Sequence, residues 1–218
     1  MPDNDQSATL DPPGTIAVIG AGPLGIEAAL YGRFLGYDVM LFDSVEPVNR
    51  LVCLRDEPLP LTPSRSSSPL ARAAIESQEI EAHHTKHPTT IAEWIDQVWK
   101  PLLTTDLLRG RVRSPETVIR IELVDVSGED DDIPPDFRLT TNEGTADFES
   151  VILASGTQSV EKPELTFATP CDYFHPLSAG ESGDHETDFW QGLHGIVTIF
   201  AELGGRKELD LYRPARGD

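Results

Sequence analysis

The sequence predicts an α/β fold that combines a parallel β-sheet, a three-stranded antiparallel meander and a C-terminal helix. The prediction starts from two short apolar segments, Thr15–Ile19 and Asp38–Phe42, which are typical of buried parallel strands. Between them, Ile26–Leu35 has the apolar spacing expected of a helix, and Gly36 follows as a helix-ending residue. A strand, a helix and a second strand within about thirty residues form the unit from which parallel sheets are built.

The connection between the first strand and the helix matches the pattern G-x-G-x-x-G. Its residues are Gly20, Ala21, Gly22, Pro23, Leu24 and Gly25. The first glycine permits the tight turn, the second lets a pyrophosphate approach the backbone, and the third lets the helix pack closely on the strand. The unpaired N–H groups and the positive dipole end of the helix attract phosphates. The segment therefore predicts a dinucleotide-binding site.

An acidic residue ends the second strand, as such a site requires. Asp43 lies eighteen positions after Gly25, and Ser44 follows it. A carboxylate at this position accepts hydrogen bonds from ribose hydroxyls and repels a 2′-phosphate, which disfavours NADP. The alternative that stays open is a glycine-rich turn in a Rossmann-like domain that binds nothing.

The middle of the chain predicts the antiparallel meander. Alternating residues place its strands at Val118–Val126, Phe137–Thr141 and Ala146–Ala154, and the last strand runs back into the parallel sheet. That strand ends in Ala154, Ser155 and Gly156, which are small enough for a ligand to approach the backbone at the carboxyl end of the sheet.

Helices account for much of the remaining chain, between irregular segments. Residues 45–70 are rich in proline and serine and predict a long loop. Ser68 and Pro69 start a predicted short helix that runs to Glu79, and Thr89 or Thr90 caps the next helix. The final helix is predicted to begin at Thr187 or Asp188 and to end at Gly204–Gly205.

Composition limits the classes of partner. The chain has 218 residues and a formal net charge of −20, which argues against nucleic acid and anionic membranes as partners. No apolar segment approaches membrane-spanning length and the first residues lack the pattern of a targeting signal, so we expect a cytoplasmic protein. We expect one domain over 14–205, between a disordered tail at 1–13 and a polar tail at 206–218.

Other candidate groups predict no catalytic or metal site. His83 and His87 have the i, i+4 spacing of a ligand pair, but no further ligand completes a site, so we predict no metal. Cys53 and Cys171 form no C-x-x-C motif and are expected to be reduced thiols. No nucleophile or acid–base pair is visible, so the catalytic residues are left unknown.

Two segments, VIGAGPLGIEAA and VILASG, resemble the FAD-dependent pyridine nucleotide-disulfide oxidoreductase superfamily and its flavin-monooxygenase-like branch. The resemblance implies that the three motif glycines surround the FAD pyrophosphate and that Asp43 holds the adenosine ribose. It also implies that the backbone of Val118 meets the adenine and that Ala154–Gly156 close over the dinucleotide. Arg50 is a candidate for the flavin side. His175 and His194 are candidate flavin neighbours, although ordinary packing or a surface position is the favoured interpretation of both histidines.

The resemblance also predicts a function. We expect an FAD-binding oxidoreductase acting on an unidentified small molecule. The alternatives are an NAD-binding enzyme or sensor, and a catalytically inactive flavoprotein-like interaction module. No second G-x-G-x-x-G follows Gly156, so we expect a shortened chain that lacks the nicotinamide-binding domain of the superfamily. The substrate, the electron donor and the oligomeric state are not predicted.

Overall fold

The computed structural model describes residues 9–78, 87–126, 134–156, 162–206 and 208–213. Its strands are β1 (Thr15–Ile19), β2 (Asp38–Phe42), β3 (Val112–Arg113), β4 (Val118–Val124), β5 (Asp136–Thr141), β6 (Thr145–Phe148), β7 (Ser150–Leu153), β8 (Glu164–Leu165) and β9 (Phe174–Pro176). Its α-helices are α1 (Pro23–Phe34), α2 (Asn49–Val52), α3 (Pro69–Glu76), α4 (Ile91–Trp94), α5 (Lys100–Thr104) and α6 (His185–Leu203). A 3-10 turn lies at Pro63–Arg65, and a π-helical segment, Ile95–Trp99, joins α4 to α5.

The five-stranded sheet is parallel throughout and confirms the predicted fold class. Its strand order is β3-β2-β1-β7-β9, with β1 at the centre. Ile16, Ala17 and Val18 in β1 are fully buried, as expected for a strand covered on both faces. The edge strands β3 and β9 were not predicted, because two or three residues are too few to show a periodic pattern.

The second sheet has the order β6-β5-β4-β8 and contains the predicted antiparallel meander, β4 to β6. The prediction of one strand over Ala146–Ala154 was wrong, because the chain changes sheets at Glu149. There β6 pairs with β5, whereas β7 pairs with β1. The Glu149 carboxylate accepts the N–H of Thr15 with an N···Oε2 distance of 2.6 Å, which fixes the crossing point beside the first residue of β1.

Helices α1 and α6 pack together over one face of the parallel sheet. The rings of Tyr31 and Phe200 stack with centroids 5.1 Å apart. Gly36 adopts a φ of +95° after α1, as predicted for a helix-ending glycine. The predicted start of α6 was wrong by about one turn, because Asp184 caps the helix and accepts hydrogen bonds from the N–H and the hydroxyl of Thr187.

Side-chain caps also start the shorter helices. Ser68 accepts the N–H of Ala71 at the start of α3, as predicted, although that helix ends at Glu76 rather than at Glu79. Thr90 caps α4 and accepts the N–H of Glu93. The predicted loop over 45–70 contains α2 and the 3-10 turn, so it is not wholly irregular. His83 and His84 lie outside the described residues.

Two residues from the predicted tails belong to the packed core. Leu10 is buried, and its N–H donates to the carbonyl of Leu203 at the end of α6. Tyr212 is also buried, with its ring centroid 5.2 Å from that of Tyr31. The expectation of disordered or polar tails therefore fails at these two positions, where apolar side chains cover α1 and α6. Residues 1–8 and 214–218 lie outside the described residues.

Candidate functional site

A cleft of about 630 Å³ runs along the carboxyl edge of the parallel sheet. Eleven of the twelve residues that the sequence analysis selected line it: Gly20, Ala21, Gly22, Pro23, Leu24, Asp43, Ser44, Val118, Ala154, Ser155 and Gly156. They come from the ends of β1, β2 and β7 and from the start of β4. Cofactor sites of open α/β folds lie at this edge, where connections from neighbouring strands diverge to opposite faces of the sheet.

The twelfth residue, Gly25, lies behind the cleft and holds α1 against β1. A Cβ atom on Gly25 would lie 1.7 Å from the carbonyl oxygen of Gly20, a distance at which atoms cannot coexist. Gly20 itself has a φ of +111°, and a Cβ there would lie 2.9 Å from the carbonyl carbon of Ala154. Both positions require glycine for the turn to form at all.

Gly22 faces the open cleft. A Cβ placed on it would meet no atom within 4 Å, and the residue has ordinary extended backbone angles. Gly22 precedes α1 and provides no side-chain cap, while Pro23 occupies the first turn. The first-turn N–H groups of a helix have no carbonyl partner within that helix, so they face the cleft with the positive end of the helix dipole. This arrangement suits an anion.

The Asp43 carboxylate is held in place by backbone amides. Its Oδ2 accepts the N–H of Ala21 at 2.6 Å, and its Oδ1 accepts the N–H of Val45 at 3.1 Å. Each carboxylate oxygen has a second lone-pair direction, so both remain able to accept from ligand hydroxyls. Ser44, the next residue, also lines the cleft. Asp43 is thus fixed beside the glycine turn, with hydrogen-bonding capacity left toward the cleft.

Glu116 and Thr117 also line the cleft, in the connection between β3 and β4, and the sequence analysis missed them. The N–H of Glu116 donates to the carbonyl of Asp43 at 2.7 Å, and the Thr141 hydroxyl donates to Glu116 Oε1 at 2.7 Å. Neither residue belongs to a motif with fixed spacing. The signal that pointed to this place was the start of the β4 pattern at Val118, two residues later.

The Ser155 hydroxyl is an unpartnered polar group in the cleft wall. Its Oγ is buried, and among the described residues it has no hydrogen-bond partner. The neighbouring Ala154 N–H donates to the carbonyl of Ile19, which holds this segment beside the glycine turn. Buried hydroxyls are normally hydrogen-bonded, so Ser155 is suited to a polar atom of a ligand.

The opposite part of the cleft, beyond β7 and β9, is apolar. Its wall is made of buried side chains from four segments: Leu61, Ile91, Trp94, Leu177 and Phe189. The rings of Trp94 and Phe189 meet edge to face with centroids 6.0 Å apart, and the Trp94 indole N–H donates to the carbonyl of Ser66. These contacts hold the indole in place in the wall.

The three basic groups considered as candidate flavin neighbours differ in position. Arg50 lines the cleft. His175 lies in β9 outside the lining; burial lowers its pKa, and its Nε2 has no partner among the described residues. His194 is exposed on α6 and also lies outside the lining. Both histidines therefore lie outside the cleft lining.

The first turn of α6 contributes Asp188 to the cleft, but this carboxylate already has a structural role. Its Oδ1 accepts the N–H and the hydroxyl of Ser182, both at 2.7 Å, and these hydrogen bonds lower its pKa. Asp188 therefore holds the loop before α6 and remains ionised at neutral pH. It has the properties of a loop anchor and not of a general acid.

Cys53 and Cys171 are free thiols. In the described part of the chain, no group of three or more His, Cys, Asp or Glu side chains is arranged to hold a metal ion. None of the helices in the described ranges is long and apolar enough to span a membrane.

No protein-family model and no curated protein matches the chain. Solved structures do resemble it. An FAD-bound form of OTEMO has a TM-score of 0.48 and 18% identity, covering 67% of this chain and 26% of that chain. Oxidized steroid monooxygenase bound to NADP has a TM-score of 0.48 and 19% identity, and the match covers 66% of this chain and 26% of that chain. Bacillithiol disulfide reductase Bdr from Staphylococcus aureus has a TM-score of 0.47 and 12% identity, and the match covers 67% of this chain and 38% of that chain.

The chain spans only 26% to 38% of the length of these three proteins.

Proposed function

We propose that this chain binds FAD in the cleft and takes part in flavin-dependent oxidation or reduction of a small molecule. The observation that carries the proposal is the convergence of the glycine turn, Asp43 and Ala154–Gly156 on one cleft. In that arrangement Asp43 binds the adenosine ribose, and the start of α1 binds the pyrophosphate. Ser155 donates to a polar atom of the cofactor.

The shape and chemistry of the cleft favour FAD. The cleft extends across the sheet edge from Asp43, after β2, to Leu177, after β9. Its volume of about 630 Å³ lies within the usual range for small-molecule and cofactor sites. FAD and NAD share the adenosine diphosphate half. The end of the cleft that would hold the flavin or the nicotinamide therefore decides between them. An apolar wall suits a three-ring flavin better than a nicotinamide with its polar carboxamide.

In this proposal the chain binds, orients and shields the cofactor. The fixed Asp43 carboxylate and the α1 N-terminus set the position of the adenosine and phosphate groups along the sheet edge. The side chains of Trp94 and Phe189 exclude water from the opposite end. When bound, FAD supplies the electron-transfer and hydride-transfer chemistry. We assign no catalytic residue of the chain.

NAD binding is the second candidate, because the Asp43 carboxylate serves the ribose of either dinucleotide. Calorimetric titration with FAD, NAD⁺ and NADP⁺ separates the two. The proposal predicts that FAD binds most tightly and that NADP⁺ binds least, because Asp43 repels its 2′-phosphate. Binding of NAD⁺ without FAD would establish the second candidate in place of the first.

Substitution of Gly22 tests whether the ligand occupies the proposed place. Gly22→Val adds a branched side chain in the space where the pyrophosphate is expected, and the first added atom meets nothing within 4 Å. The matched control is Ala146→Val, which adds bulk on the exposed strand β6. We expect Gly22→Val to lose FAD binding while its melting temperature without ligand stays that of the wild type. We expect Ala146→Val to bind FAD and to melt as the wild type does. Equal FAD affinity in the two variants would place the ligand elsewhere.

A further inference from the structure

We propose that Glu116 recognises the adenine base of the bound nucleotide by accepting a hydrogen bond from its exocyclic amino group. The inference rests on the proposed dinucleotide site and adds a base-reading residue to it. The sequence motifs assign the ribose to Asp43 and the pyrophosphate to the glycine turn, and they assign no side chain to the base.

The strand order places Glu116 where the base is expected. In the sheet order β3-β2-β1, the glycine turn follows β1, Asp43 follows β2, and Glu116 follows β3. Phosphate, ribose and base occur in that order along a nucleotide. A ligand with its phosphates at the glycine turn and its ribose at Asp43 therefore extends its base toward Glu116 and Val118.

Two hydrogen bonds hold Glu116 in place, one at its backbone and one at its carboxylate. Its backbone N–H donates to the carbonyl of Asp43, and its Oε1 accepts the hydroxyl of Thr141, each at 2.7 Å. The Thr141 hydroxyl is itself fixed, because it accepts the N–H groups of Glu143 and Gly144 at 3.1 Å. Among the described residues no donor reaches Glu116 Oε2. One carboxylate oxygen is thus anchored and the other is available in the cleft wall.

The backbone of Thr117 does not take over this role. The N–H of Thr117 donates to the side-chain oxygen of Asn142, and the Thr117 carbonyl accepts the N–H of Asn142. An ionised carboxylate only accepts hydrogen bonds, and the 6-amino group of adenine donates two. Hydrogen bonds to charged groups are the stronger class, so the pair favours adenine over a purine without that amino group.

The test compares ADP with purine riboside 5′-diphosphate, which differs from ADP only by lacking the 6-amino group. Calorimetric titration of the wild-type protein is expected to show ADP bound about tenfold more tightly, the effect of one hydrogen bond to a partly exposed charge. In Glu116→Leu the two ligands are expected to bind within about twofold of each other. Glu116→Gln keeps a carbonyl acceptor and is expected to retain about threefold selectivity.

A second pair of ligands distinguishes the role of Glu116 from the role of Asp43. ADP and 2′-deoxy-ADP differ only at the ribose, so their affinity ratio is expected to change in Asp43→Asn and to stay constant in Glu116→Leu. A general loss of negative charge from the protein changes the affinities of all three ligands by the same factor. This change therefore cancels in both affinity ratios. If Glu116→Leu instead changed the 2′-deoxy ratio and left the amino-group ratio unchanged, Glu116 would bind the ribose and the inference would be overturned.

The outcomes also distinguish the inference from the proposed function. Tight ADP binding with no preference over purine riboside diphosphate would overturn the role of Glu116 and leave the nucleotide site standing. Absence of ADP binding, in a protein whose melting temperature shows that it is folded, would overturn both. Loss of ADP binding in Gly22→Val would show that the measured binding occurs in the cleft.

Discussion

At the scale of single residues, the motif glycines have two different physical roles. Gly25 is needed for packing, because a Cβ there would overlap the carbonyl oxygen of Gly20. Gly22 is not needed for packing, because a Cβ there meets nothing within 4 Å and its φ suits any residue. In a dinucleotide site, it is the bound ligand that requires glycine at this position. Stability measurements can therefore separate the two roles.

The first prediction compares Gly25→Ala with Gly22→Ala in the unliganded protein. A methyl group 1.7 Å from a backbone oxygen can be accommodated only if α1 moves away from β1, so we expect Gly25→Ala to lose about 3 kcal/mol or more of unfolding free energy. Gly22→Ala is expected to change it by less than about 1 kcal/mol. Denaturant unfolding checks both values, and equal losses in the two variants would contradict the assigned roles.

The second prediction concerns Asp43. Asp43→Asn removes the charge that is expected to accept the ribose hydroxyls, so FAD affinity should fall by about 10- to 100-fold, the range for hydrogen bonds to a charged group. Calorimetry provides the affinity, and Glu122→Gln, an acidic residue of β4 outside the cleft lining, is the control. A variant that binds FAD as tightly as the control does would exclude Asp43 from the site.

At the scale of secondary-structure elements, one buried carboxyl joins three segments. Glu27 of α1 is fully buried, and its Oε2 accepts the hydroxyls of Ser68, before α3, and of Tyr212, near the C-terminal end of the described chain. Burial raises its pKa to about 7, although the hydrogen bonds from Ser68 and Tyr212 and the charge of Arg72 act in the opposite direction. Its Oε1 has no partner among the described residues.

The third prediction follows from that pKa. A carboxyl that titrates at about 7 when folded and at 4.5 when unfolded stabilises the fold fully below pH 4.5 and loses this contribution as the pH rises to about 7. The loss is on the order of 3 kcal/mol. Glu27→Gln keeps an acceptor for Ser68 and Tyr212 and has no charge to bury. We therefore expect it to be more stable than the wild type at pH 8.

Unfolding free energies of the two proteins measured from pH 4.5 to pH 8 check this prediction. Other titrating groups are shared, so they cancel in the difference between wild type and Glu27→Gln. That difference should grow in favour of Glu27→Gln across the range and level off above about pH 7. A constant difference would show that Glu27 titrates with an ordinary pKa.

Elements with a strong local pattern could be predicted from the sequence, and elements made by tertiary pairing could not. The apolar segments of β1 and β2 and the glycine turn between them follow local rules. By contrast, β3 is a strand only because the carbonyls of Arg111 and Arg113 accept the N–H groups of Leu41 in β2 and of Asp43 directly after it. The division between β6 and β7 at Glu149 was hidden because it depends on the contact between Glu149 and Thr15, which is long-range.

The same distinction holds for the candidate site. The glycine turn, Asp43 and Ala154–Gly156 could be selected because they occupy fixed places relative to a strand. Glu116 could not, because it lies in the loop between β3 and β4, whose path depends on packing of the whole chain. His175 and His194 were selected by residue type alone, and their segments place them outside the cleft.

At the scale of the whole molecule, the net charge of −20 affects how an anionic ligand arrives. A dinucleotide carries negative phosphates, so the field of the protein repels it at long range although the start of α1 attracts it at short range. We expect the FAD association rate to rise several-fold between about 20 mM and 200 mM NaCl, because salt screens the long-range repulsion. Stopped-flow fluorescence gives this rate, and a rate that falls with salt would show that local positive charge dominates the encounter.

The central claim is that the cleft along the parallel sheet binds FAD, and an absorbance spectrum tests it most directly. The purified protein is scanned across the visible flavin bands before and after incubation with FAD and removal of free cofactor, with Gly22→Val treated in parallel. We expect the wild-type protein to retain the flavin bands at close to one FAD per chain and Gly22→Val to retain none. A folded wild-type protein that keeps no flavin after this treatment would contradict the claim.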